Sequence, residues 1–78
     1  MTPGSLVKIA IEASNIGLRQ YSTHFDLNNK LTGYMTDKDV ALIVGMRWFG
    51  YTTKALIVTS KGLLGWTLAD NLCNVGDA

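Results

Sequence analysis

Apolar and polar positions along this chain alternate with period two far more often than they recur at helical spacing, so strands are expected almost everywhere. The clearest stretch is Ala55 to Leu72. Ala55 to Thr59 is aliphatic and β-branched, and Ser60-Lys61-Gly62 follows as a three-residue loop whose last residue can take the left-handed backbone that closes such a hairpin. Leu63 to Leu68 runs back, with Leu64, Trp66 and Leu68 on one face and Leu63, Gly65 and Thr67 on the other. Ala69 to Leu72 then reads as one short turn. Elsewhere, Leu6 to Glu12 places Val7, Ile9 and Ile11 toward a core and Lys8 and Glu12 toward water. Lys30 to Met35 is a strand interrupted at Gly33, where a bend or bulge is expected.

The longest expected strand is Val40 to Trp48. Leu42, Val44, Met46 and Trp48 share one face and Ala41, Ile43, Gly45 and Arg47 the other, so part of it is expected to be covered on both faces. Thr36 to Asp39 is a charged turn, Phe49 to Thr53 a loop, Cys73 to Val75 a final short strand, and Gly76 to Ala78 a tail. Ala13 to Asn29 is polar and mixed, and is expected to be a long loop with at most a helical turn at Asn15 to Gln20. Such a loop either carries function or is pinned to the core by Tyr21 and Phe25. The sum is about five strands and almost no helix, which implies a small barrel or a pair of packed sheets.

Composition narrows this to one domain. The chain has 78 residues, and 47% apolar residues are enough for a small core. A net charge of +1 gives no large field to gather nucleic acid or an anionic membrane, though a local patch remains open. Cys73 is the sole cysteine, so no internal disulfide and no multi-thiolate metal site is expected. No secretory signal is visible and no apolar run approaches the roughly 20 residues that span a bilayer. A cytoplasmic or virion-associated location is expected, without membrane association.

With these residues in view, Lys61-Gly62-Leu63-Leu64-Gly65-Trp66-Thr67-Leu68-Ala69-Asp70-Asn71-Leu72 resembles the closing motif of bacterial SH3-like domains. There a Gly-Trp pair on the penultimate strand, here Gly65-Trp66, precedes a short 3₁₀ turn, here Ala69-Asp70-Asn71, and an apolar residue, here Leu72, leads into the last strand. The opening Gly4 to Ile9 and the pair Thr32-Gly33 are similar to small SH3-like proteins encoded by bacteriophages. The resemblance implies an all-β SH3-like barrel in which the long loop after the first strand is the RT-type loop. It does not extend to proline-rich peptide recognition, because the acidic loop, the paired tryptophans and the Pro-Tyr closing element are missing.

Catalysis needs a nucleophile or metal with a positioned base. His24 stands alone in the polar loop, Asp37 and Asp39 are two residues apart in a turn with Lys38 between them, and no glycine cluster forms a phosphate loop. No enzyme, metal or cofactor is expected. The aromatic residues offer more. Trp48, Phe49 and Tyr51 crowd one loop beside Arg47 and Lys54, and Trp66 and Tyr34 lie on strands. One reading makes Arg47, Trp48, Phe49 and Tyr51 a surface for a protein partner or a second copy, since aromatics and Arg concentrate at interface centres. Another has the aromatics stack bases while Arg47, Lys54 and Lys61, with Arg19, meet phosphates. A third places Trp48 and Trp66 in the core. A small-molecule role would need an open aromatic groove and export, and is not expected. The expected function is a non-catalytic interaction or assembly module, in a phage-encoded structural or accessory setting. A nucleic-acid-binding barrel is the alternative.

Overall fold

The computed structural model describes residues 1–10, 15–22 and 29–76. Among these residues it is all-β, with seven strands: β1 Leu6–Ile9, β2 Asn15–Arg19, β3 Leu31–Thr36, β4 Ala41–Trp48, β5 Thr53–Thr59, β6 Leu64–Leu68 and β7 Leu72–Asn74. One 3₁₀ turn, Ala69–Asn71, joins β6 to β7. The strands form a single curled sheet, a half-barrel of order β3-β2-β6-β5-β4-β1-β7, and every neighbouring pair is antiparallel.

Seven strands replace the expected five or so, and the difference lies mainly in the segment read as a long loop. Asn15 to Arg19 is a strand, and it pairs with β3. Its sequence Asn-Ile-Gly-Leu-Arg alternates in period two, and Ile16 and Leu18 are buried while Asn15 and Arg19 are exposed. The helical turn expected at Asn15 to Gln20 is therefore absent. Ile11, His24 and Phe25 lie outside the described residues.

The hairpin between β5 and β6 follows its sequence closely. Gly62 has φ 87°, its N–H donates to the Thr59 carbonyl at 2.8 Å, and the Thr59 N–H donates to the Leu63 carbonyl at 2.8 Å. The Thr59 hydroxyl accepts from the Leu63 N–H at 3.1 Å. A left-handed residue here needs no Cβ, which is why glycine ends the loop.

The concave side of the sheet holds the core: Val7, Ile16, Leu18, Met35, Ala41, Ile43, Ala55, Ile57 and Leu72. Each fully buried aliphatic side chain is worth about 1.5–3 kcal/mol. On β6 the inward face is the small one, Gly65 and Thr67, while Leu64 and Leu68 point out. Small residues are required because β2 and β6 come together there. A Cβ on Gly65 would sit 2.7 Å from the Leu18 Cβ, 2.7 Å from the Thr32 hydroxyl and 3.2 Å from the Arg19 carbonyl oxygen.

β4 is not covered on both faces. Ala41 and Ile43 are buried, whereas Leu42 and Val44 are exposed. The alternation then slips. Ile43 opposes Ile57 and Gly45 opposes Leu56, which leaves Val44 without an opposite residue. That bulge reverses the parity of the strand. Met46 joins the core side with Ala41 and Ile43, and Arg47 joins Leu42 and Val44 outside. The four-residue faces expected from strict alternation therefore break at Val44. A second irregularity falls next to Gly33, in the strand where a bend was expected. Leu18 opposes Gly33 and Arg19 opposes Leu31, so Thr32 is skipped, and its hydroxyl donates to the Leu18 carbonyl at 3.3 Å.

The charged turn ahead of β4 is a closed unit. The Thr36 N–H donates to Asp39 Oδ2 at 2.8 Å, the Thr36 hydroxyl donates to the same oxygen at 3.1 Å, and the Asp39 N–H returns to the Thr36 carbonyl at 3.0 Å. Lys61, from the β5–β6 loop, approaches Asp39 Oδ1 at 3.6 Å. The Thr36 backbone N–H, more than the Thr36 hydroxyl or the Lys61 charge, holds the Asp39 carboxyl below the ordinary 3.8, against the opposing effect of its burial.

Candidate functional site

β4 and β5 are joined by a turn in which Phe49 donates its N–H to the Thr52 carbonyl at 2.9 Å and Gly50 has φ 88°. Trp48 opposes Thr53 and Arg47 opposes Lys54 across the base of this turn. By parity Trp48 belongs to the inward side, but the strand has by then run past the core, and the indole is 66% exposed. Tyr51 at the tip is 70% exposed. The core reading therefore fails for Trp48. Trp66 is half-buried on the outward face of β6, outside the cluster of core residues.

Phe49 plays a different part from its two aromatic neighbours. The Arg47 guanidinium carbon lies 5.2 Å from the centre of its ring, and the Lys54 ammonium lies 5.5 Å from the same centre. Arg47 also donates to the hydroxyl of the buried Ser22 at 3.0 Å, which ties the turn to the chain beyond β2. A half-buried ring flanked by two cations is a support, since each cation gains from the negative face of the ring. Phe49 and Arg47 thus hold the turn, while Trp48 and Tyr51 are displayed by it.

Tyr51 stands between two hollows. One, of about 560 Å³, is lined by Gly17, Arg19, Tyr21, Lys54 and Trp66 among others. The other, of about 460 Å³, has Met46, Trp48, Thr53, Asp70 and Leu72 in its walls. The first is an aromatic groove with two cationic side chains. Arg19 reaches it because it opposes Trp66 where β2 meets β6. Tyr21, expected to act as an anchor, is exposed at its rim. Sequence reading placed the aromatic residues of the β4–β5 turn correctly in one loop but missed that Tyr21 and Trp66 face the same groove. The period-two pattern of Asn15 to Arg19 was the available signal, because it puts Gly17 and Arg19 on the face opposite Ile16 and Leu18.

The remaining chemical candidates do not assemble. Asp39 is buried in its own turn with its carboxylate taken up by Thr36, whereas Asp37 is exposed. Cys73 is half-buried in β7. Among the described residues no three His, Cys, Asp or Glu side chains are grouped closely enough to hold a metal ion. No helix among them is long and apolar enough to cross a membrane. Compared with known proteins, the chain matches no family model, no curated protein and no solved structure.

Proposed function

We propose that the protein is a non-catalytic interaction module of SH3-like architecture that captures a protein partner through the β4–β5 turn. The observation that carries this is the display of Trp48 and Tyr51, two large aromatic side chains 66% and 70% exposed on a turn braced by Arg47 and Phe49. Leaving such surface in water has a cost that a partner removes. The antiparallel run β4-β5-β6, the 3₁₀ turn Ala69–Asn71 and the pairing of β1 with β7 support the SH3-like reading. In it, the β2–β3 hairpin stands where the RT-type loop would. The likeness of the opening Gly4 to Ile9 and of the pair Thr32-Gly33 to small phage-encoded SH3-like proteins makes a structural or accessory protein of a phage the preferred setting.

Nucleic-acid binding is a second reading, favoured by Arg19 and Lys54 lining one groove with Tyr21, Tyr51 and Trp66. Lys61 does not join them, because it sits at the far turn beside Asp39. Affinity capture on the immobilised chain, with and without nuclease, separates the two. A discrete protein retained after nuclease, and lost with the paired change Trp48→Ser and Tyr51→Ser, is the expected result. Retention that disappears with nuclease and falls steeply with salt would replace the protein reading by the nucleic-acid one.

A further inference from the structure

The aromatic groove beside the β4–β5 turn has a sign as well as a shape. Its walls carry two cations, Arg19 and Lys54, and, among the described residues, no carboxylate. Arg19 of β2, Trp66 and Leu68 of β6 and Lys54 of β5 all alternate with buried neighbours, so they share the outward side of the sheet. Lys54 opposes Arg47, and both lie against the Phe49 ring. Like charges set directly opposite repel one another, so this end of the sheet is a concentrated positive region. Arg19 is placed differently. It is exposed, it opposes Trp66, and among the described residues no hydrogen bond, ion pair or ring contact engages its side chain. The described carboxylates lie elsewhere: Asp37 and Asp39 in the turn before β4, and Asp70 with Met1 in the second hollow, beyond Tyr51. A guanidinium beside aromatic walls, with no carboxylate of its own, is complemented by a carboxylate carried on an apolar segment.

We infer that this groove seats an acidic segment of the protein partner, and this inference rests on the protein-partner reading. A carboxylate side chain of the segment meets the Arg19 guanidinium, and a neighbouring apolar side chain lies against Tyr21, Tyr51 and Trp66. Two observations favour a polypeptide over nucleic acid. First, a bound strand is tracked by a succession of phosphate contacts, whereas the groove offers two cations and one of them, Lys54, already lies against Phe49. Second, the exposed Asp70 stands on the other side of Tyr51, where it repels the next phosphate of a polyanion. A polypeptide escapes both conditions, because it can set one carboxylate beside Arg19 and an uncharged or basic residue beyond Tyr51. At so exposed a site the ion pair selects among segments more than it adds affinity, and the aromatic walls supply most of the contact.

Selection of random displayed peptides on the immobilised chain tests this. Wild type should enrich Asp and Glu over Lys and Arg, next to aromatic or aliphatic residues. Arg19→Glu, folded by circular dichroism, should turn the preference toward basic peptides. A synthetic copy of the best wild-type peptide should bind Arg19→Gln about three- to tenfold more weakly. Changing the carboxylates of that peptide to amides should cost wild type a similar factor and Arg19→Gln little. Neutral or basic peptides that still require Trp48 would overturn the acidic occupant and leave the protein-partner reading standing. Acidic peptides indifferent to both Arg19 substitutions, or no enriched peptide at all, would overturn it too, and the protein-partner reading would then be decided by the capture experiment alone. An oligothymidylate that displaces the peptide and itself depends on Arg19 would give the groove to nucleic acid instead.

Discussion

The two turns that bound β5 are built on opposite principles. At Ser60-Lys61-Gly62 the residues are small or polar, and the chain closes on itself. Thr59 bonds Gly62 and Leu63 through both backbone and hydroxyl, Ser60 donates to the Val40 carbonyl, and Lys61 approaches Asp39. At Phe49 to Thr52 one backbone bond spans the tip, and the bracing comes from side chains, Arg47 on Ser22 and two cations beside Phe49. The first turn satisfies its own groups and presents little else. The second spends two large aromatics on solvent exposure. Self-contained closure and aromatic display therefore sit at opposite ends of the same pair of strands, and substitutions should separate stability from the proposed recognition.

The largest effect is expected where the fold has no slack. Gly65→Ala forces a Cβ into Leu18, Thr32 and the Arg19 carbonyl, and should lower stability by about 3 kcal/mol in chemical denaturation. At the self-contained turn, Gly62→Ala meets open space but must hold φ 87°, so about 1–2 kcal/mol should be lost. At the aromatic turn, Trp48→Ser combined with Tyr51→Ser should shift stability by no more than about 0.5 kcal/mol while abolishing partner capture. A loss of stability there as large as at Gly65 would erase the contrast between the turns.

Acid sharpens the comparison from the structural side. Because the Asp39 carboxyl titrates below 3.8 in the folded chain, its contribution is complete above the unfolded value and fades as pH falls through the lower folded one. The melting temperature of the wild type should exceed that of Asp39→Asn at neutral pH. The gap should narrow below about pH 4, as the wild-type carboxyl gains its proton. A gap independent of pH would mean that the carboxylate charge does not help hold the Thr36 turn.

Local chemistry was legible in the sequence wherever it was enough to specify geometry. The β5–β6 hairpin, its left-handed glycine and the short turn after β6 all follow from residues within a few positions of one another. One feature was not legible for a tertiary reason, and a second was legible only as a short period-two pattern. The Val44 bulge depends on how β4 meets β5, and strict alternation cannot register a skipped residue. β2 is a short strand with glycine at its centre, and it owes its place to pairing with β3 and to the close approach of Gly65. The aromatic turn was visible as a cluster, but its division of labour was not. That Phe49 supports while Trp48 and Tyr51 project depends on where β4 outruns the core and on Ser22, which is distant in sequence.

Site-specific photo-crosslinking tests the central claim most directly. A benzophenone side chain would replace Tyr51 at the turn or, as the control, Tyr34, which is 54% exposed on the edge strand β3. The account predicts a discrete protein adduct from position 51 under native conditions and none of that mass from position 34. Adducts of equal yield at both positions, or none at position 51 beside a folded chain, would contradict it.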